Sequence, residues 1–100
     1  MKIVWSPQAA EQVRDIASYI AFDKPAAAVE WVESVFNAVK PLENFPESGR
    51  MVPEIRQRNI RELILGNFRI IYHLHRQKIR IISVKRFRQR LSATDILSDE

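Results

Sequence analysis

Apolar residues change their period partway along this chain, and that change limits what it can fold into. From Pro7 to Leu42 they recur every three or four positions, and from Ile60 to Phe87 every second position. The first spacing lines one side of an α-helix and the second lines one face of a strand, so a helical half precedes a sheet half. Proline and glycine punctuate the pattern. Ser6-Pro7 supplies a capping hydroxyl followed by proline at the first helical position, and Asp23-Lys24-Pro25 repeats the device. Two helices are therefore expected, Pro7 to about Phe22 and Ala26 to about Asn44, joined closely enough to form an antiparallel hairpin. Pro41 lacks an N–H and its ring clashes with the carbonyl four residues back, which predicts a kink or an end there.

Lys2 to Trp5 reads as a short strand running into the first helix. Phe45 to Pro53 contains two prolines and Gly49, so Asn44 to Gln57 is expected to be a loop. Beyond it, Ile60–Leu65, Phe68–His75 and Lys78–Phe87 form a meander turning at Gly66-Asn67 and Arg76-Gln77. Phe68, Ile70, Tyr72 and Leu74 should face the helices, leaving Arg69, Ile71, His73 and His75 on the other side. The expected fold is α+β: a two-helix hairpin packed on a twisted antiparallel sheet, in the order β-α-α-β-β-β, with the arginines on the far face. One hundred residues make one domain. Residues 91–100 are expected to be a flexible or short helical tail.

Composition removes several classes of function. Cysteine is absent, which excludes disulfides, thiolate nucleophiles and sulfur-ligated zinc. His73 and His75 share a strand face, but no third ligand lies nearby and Arg69 is on the same face, so no metal site is expected. With glycine only at positions 49 and 66 there is no phosphate-cradling loop, and no cofactor is expected. No apolar run reaches the length of a membrane span and no signal peptide is visible, which makes the cytoplasm the expected location.

The formal net charge of +4 hides a division: between Arg56 and Arg90 stand eleven Lys or Arg residues against one acid, Glu62. Nine of the eleven are arginine, whose planar fork suits phosphate or carboxylate, so an anionic partner is expected. RNA cleavage would need a base, an acid and cations around the phosphate. Glu54, Glu62, Tyr72, His73 and His75 are the proton-transfer candidates, although Tyr72 falls on the expected core face and Glu62 has arginine neighbours.

Several stretches together resemble the RelE/ParE superfamily, the toxins of bacterial type II toxin–antitoxin systems. These are Trp5-Ser6-Pro7-Gln8-Ala9, Tyr19-Ile20-Ala21, Pro25-Ala26-Ala27-Ala28, Phe45-Pro46-Glu47-Ser48-Gly49-Arg50, Arg61-Glu62-Leu63, Asn67-Phe68-Arg69-Ile70-Ile71-Tyr72 and Ile81 to Arg88. The resemblance implies a toxin neutralised by a cognate antitoxin that buries apolar surface beside the helices or adds to a sheet edge. RelE-like relatives are ribosome-dependent mRNA endoribonucleases, whereas ParE-like relatives poison DNA gyrase and need no acid–base set. Leu91 to Glu100 contains no Tyr or His to act as a terminal acid, and Gly49-Arg50 with the Asn67–Tyr72 strand look ParE-like. The resemblance therefore favours a gyrase poison that is not itself an enzyme. The alternatives are the ribonuclease and a non-toxic antitoxin-binding module. Arg50, Arg61 and Arg69 match recurrent family arginines, for which a structural role tying loop to sheet is the competing expectation. Lys85, Arg86 and Arg88 match the basic end of the last strand, the expected place of target or phosphate contact.

Overall fold

The fold is taken from a computed structural model that describes residues 1–91. The expected tail lies outside the described residues except for Leu91. Strand β1 (Lys2–Trp5) leads into helix α1 (Pro7–Asp23), followed by α2 (Pro25–Val39), a 3₁₀ turn (Lys40–Glu43), and strands β2 (Arg50–Met51), β3 (Ile60–Leu65), β4 (Phe68–His75) and β5 (Lys78–Arg86). The Ser6 hydroxyl accepts the Ala9 N–H at 3.0 Å, a helix cap worth about 1 kcal/mol. Lys24 alone separates the helices, and its N–H bonds the Ile20 carbonyl at 2.8 Å. At Pro41 the chain takes the second of its two expected options: α2 ends at Val39 and tightens into the 3₁₀ turn.

The five strands run in the order β1-β5-β4-β3-β2. The sheet is mixed rather than wholly antiparallel, because β1 pairs parallel with β5, Lys2 opposite Lys78 and Trp5 opposite Ile81. The expected loop also contains a strand: Arg50 and Met51 pair with Glu62 and Arg61. Left-handed backbone occurs at the hairpin turns, at Gly66 (φ 57°) and at the non-glycine pair Arg76 (φ 51°) and Gln77 (φ 62°), and at Arg56 (φ 57°) in the segment between β2 and β3.

The main core lies between the hairpin and the sheet and contains Ala9, Val13, Val35, Val39, Leu42, Ile70, Tyr72, Ile79, Ile81 and Val84. A β-bulge gives β5 its part in that core. Tyr72 pairs with Ile81 but Ile71 with Ser83, so one extra β5 residue enters the ladder. Strict alternation after Ile79 and Ile81 would send Ser83 inward; the bulge substitutes Val84, which pairs with Ile70. Where β1 has ended, α1 takes over the edge of β5: the Gln12 Oε1 accepts the Val84 N–H at 2.7 Å.

The far face is not simply an arginine surface. Val52, Ile60, Ile71 and Ile82 form a second buried cluster, packed against Ile55 and Leu91, beneath the segment that connects β2 to β3. The loop reaches over the sheet because Val52 and Ile55 have apolar side chains to bury.

Candidate target-contact site

The basic segment folds around a buried ion cluster. Register places Arg50 of β2 directly opposite Glu62 of β3, and the Arg50 Nε donates to the Glu62 Oε2 at 2.7 Å. From β4, the Arg69 Nε donates to the other Glu62 oxygen at 2.6 Å. The remaining fork of Arg69 grips Glu54 with bonds of 2.7 and 2.9 Å. Arg69 is only 4% exposed and Glu62 1%. Charges removed from water to this extent persist only when paired and hydrogen-bonded, and here two carboxylates share one guanidinium. The Arg69 bonds hold the Glu54 carboxyl at a pKa of about 2 against burial that opposes them. The same carboxylates push Arg69 further above its already high value.

This cluster also carries the end of the basic segment. Arg69 Nη1 donates to the Gln89 carbonyl at 2.8 Å, and the Leu91 N–H donates to Glu54 at 3.2 Å. The Gln89 side chain accepts the Arg86 N–H at 3.0 Å, closing the turn that follows β5. Arg88 and Arg90 are exposed on that turn. With Arg50 they border an open cleft of about 350 Å³ whose lining also includes Glu54, Arg69 and Phe87.

Of the arginines expected to contact a target, Arg61 and Arg69 are committed to the protein itself. Arg61 donates to the carbonyls of Gly49 (2.7 Å), Arg58 (2.9 Å) and Glu47 (3.2 Å), fastening the loop to the sheet. Arg50 is half exposed at its side chain while paired to Glu62. Lys85, Arg86 and Arg88 do not form one cluster. Lys85 pairs with Arg69 and Arg86 with Phe68, so they occupy opposite faces of β5. The Arg86 guanidinium lies 5.8 Å from the Tyr19 ring centre and 6.0 Å from that of Phe68, a cation–π contact joining sheet to α1.

The proton-transfer candidates are likewise engaged. Tyr72 is buried in the main core; its hydroxyl accepts the Gly49 N–H at 2.9 Å and donates to the Pro46 carbonyl at 2.8 Å. Burial pushes the phenol above its ordinary value. A Cβ at Gly49 would lie 2.6 Å from both the Glu62 carbonyl and the Tyr72 hydroxyl, so the loop can approach only with glycine there. The rings of His73 and His75 stack at 5.2 Å, and the Asn59 amide lies 3.0 Å from the His73 Nε2. Sequence reasoning missed Gln89 and the Tyr19 platform, neither of which has a local signal, and Arg90, which the charge run did contain.

The architecture and its arginine-clasped basic rim define a class of protein: small α+β domains in which a helical hairpin backs a sheet carrying a cationic margin. A solved structure titled "Chromosomal ParDE TA system from P. aeruginosa" shares that fold with a TM-score of 0.74 at 24% identity, over 86% of this chain and 95% of that one. No curated protein matches the sequence. The family model for the ParE toxin of the type II toxin–antitoxin system, parDE, matches residues 3–91, and the chain belongs to that family.

Proposed function

We propose that this ParE-family toxin arrests growth in the cytoplasm by trapping DNA gyrase on cleaved DNA, and that a cognate antitoxin neutralises it. The observation carrying this reading over RNA cleavage is the state of the groups that acid–base chemistry would require. Tyr72 is sealed in the core by two hydrogen bonds, and Glu54 and Glu62 are bound to Arg69. Glu54, held ionised by the Arg69 guanidinium, cannot donate a proton near neutral pH, and Glu62 is buried behind its two arginines. The buried phenol cannot reach a phosphate, while His73 and His75 stack on each other at the end of β4 away from the Arg88 turn.

Target contact falls to Arg88 and Arg90 on the clasped turn, with Arg50 on the same cleft and Lys85 opposite Arg69 on the neighbouring strand. Arg86 supports the turn from the opposite face. The antitoxin has a natural seat on the hairpin, where Ala17, Ala21, Ala28, Val29 and Val32 line an open apolar groove of about 410 Å³. Val29 is 59% exposed and Phe36, at the same hairpin, 50%. An amphipathic segment could bury this surface while its acids met the basic rim. Among the described residues no helix is long and apolar enough to cross a membrane.

The test is incubation of the purified protein with gyrase and supercoiled plasmid. Wild type should accumulate cleaved DNA, and Arg88→Ala with Arg90→Ala should lower that yield at least tenfold without shifting the urea midpoint. No cleaved complex at saturating toxin, or new mRNA ends within translated codons after induction, would overturn the reading.

A further inference from the structure

The far face carries a second cationic surface, at the opposite end of β5 from the toxin's proposed target contacts. Cross-strand register builds it in two rows. Lys2, Lys78 and His75 form one, with Lys2 opposite Lys78 and Lys78 opposite His75. Val4, Arg80 and His73 form the next. Residues paired directly across a ladder point to the same side, so both rows lie on one face. Arg76 adds a cation at the β4–β5 turn. Lys2, His75, Arg76 and Lys78 are exposed, and His73 and Arg80 are half-buried.

Three further observations bear on what this surface meets. First, no acid occurs between Glu62 and Asp95, so β4 and β5 contribute none. The carboxylates described elsewhere on this face, Glu54 and Glu62, are already neutralised by arginine. Second, Arg76 and Gln77 hold φ angles of 51° and 62°, where glycine or asparagine would be less strained. A cation is thus kept at a turn position that local backbone energetics disfavour for it. Third, the rows expose no large apolar side chain: Val4 is partly buried, and Ile60, which continues the second row opposite His73, is 4% exposed.

Protein partners are held by desolvated aromatic and large aliphatic anchors, and none is exposed in these rows. Single-stranded nucleic acid is held by exposed rings on which bases stack. The imidazoles here are stacked on each other, at 5.2 Å and 19°. Lattice-like cations without either feature suit a duplex backbone. Successive same-face residues on a strand stand about 6.6 Å apart, comparable to neighbouring phosphates along one DNA strand. From Lys78 to Lys85 the strand extends about 20 Å, so this surface and the Arg88 turn are separate sites.

We propose that the row Lys2–Lys78–His75, with Arg76 and Arg80, is a sequence-independent binding site for the phosphate backbone of duplex DNA. It does not depend on which enzyme the toxin attacks, and its effect would be to concentrate the toxin along DNA.

The experiment titrates the full chain into a fluorescein-labelled duplex and follows anisotropy from 50 to 200 mM salt, with no gyrase present. The variant carries Lys2→Gln, Arg76→Gln and Lys78→Gln, all exposed positions, and its folding is checked by circular dichroism. Each phosphate contact contributes about 0.9 to the slope of log affinity against log salt, so loss of three contacts should flatten the slope by about 2 to 3. Lys78→Glu alone should weaken binding as well, which keeps the test decisive if the triple variant fails to fold. An unchanged slope and affinity in the folded variants would overturn the proposal. So would polyglutamate competing as well as duplex at equal charge, or a single strand of the same length binding more tightly.

Discussion

Replacing Arg69 with methionine probes the ion cluster most directly. The change keeps a long side chain and removes the charge that Glu54 and Glu62 share. Removing one partner of a buried pair typically costs about 3–5 kcal/mol, because the remaining charge is left in a poorly solvated place. Arg50 still neutralises Glu62 in part, at 2.7 Å, which argues for the lower end of that range. Against a total stability of about 5–15 kcal/mol, about 3 kcal/mol is a large fraction. With a urea dependence of about 1–3 kcal/mol per molar, the midpoint should fall by about 1–3 M at pH 7.

The pH dependence gives the same reasoning an independent handle. Glu54 has its pKa depressed from 4.5 to about 2 in the folded state, so its contribution is fully present above pH 4.5 and is lost as pH falls towards 2. A shift of that size corresponds to about 3 kcal/mol. In the variant Glu54 has lost its cation, and acidification relieves it by protonation. The gap between wild type and Arg69→Met should therefore be widest near neutrality and narrow between pH 4.5 and 2. Urea unfolding at pH 7, 4.5 and 3 measures it. A difference below 1 kcal/mol at pH 7, or one that stays constant across this range, would refute the account.

Gly49→Ala should destabilise by several kcal/mol, more than the roughly 1–3 kcal/mol expected for Tyr72→Phe, because its Cβ meets backbone as well as the phenol; thermal melting of the two variants ranks them. Gln12→Leu should cost about 1–3 kcal/mol by orphaning the Val84 N–H, and hydrogen exchange at Val84 should quicken with it.

Much of the architecture was legible in the residues because it rests on local chemistry. Proline opened both helices close to the expected places, but only Ser6 supplies a side-chain cap, since Asp23 closes α1 and Lys24 precedes α2 with no side-chain cap bond. The period of two located β3, β4 and β5. Tyr72 was assigned correctly to the core because its neighbours Ile70 and Leu74 share its parity. The site was less legible. Arg61 and Arg69 have the same composition signal as Arg88, and nothing along the chain distinguishes an arginine that clasps a loop from one that faces solvent. Lys85 and Arg86 adjoin in sequence and separate on a strand, a consequence of alternation that a count of charges ignores.

The sequence by itself determined where the two helices and the strands β1, β3, β4 and β5 form, and that the second half is cationic, because period, proline and charge act over a few residues; it did not show β2 within the expected loop. Only the tertiary structure decided which strand accepts β1, how the bulge at Ile71 and Tyr72 changes the parity of β5, and which arginines Glu54 and Glu62 consume. Those outcomes depend on groups brought together from separate strands and loops, and the free energy of a charge depends on its spatial neighbours rather than on its position along the chain.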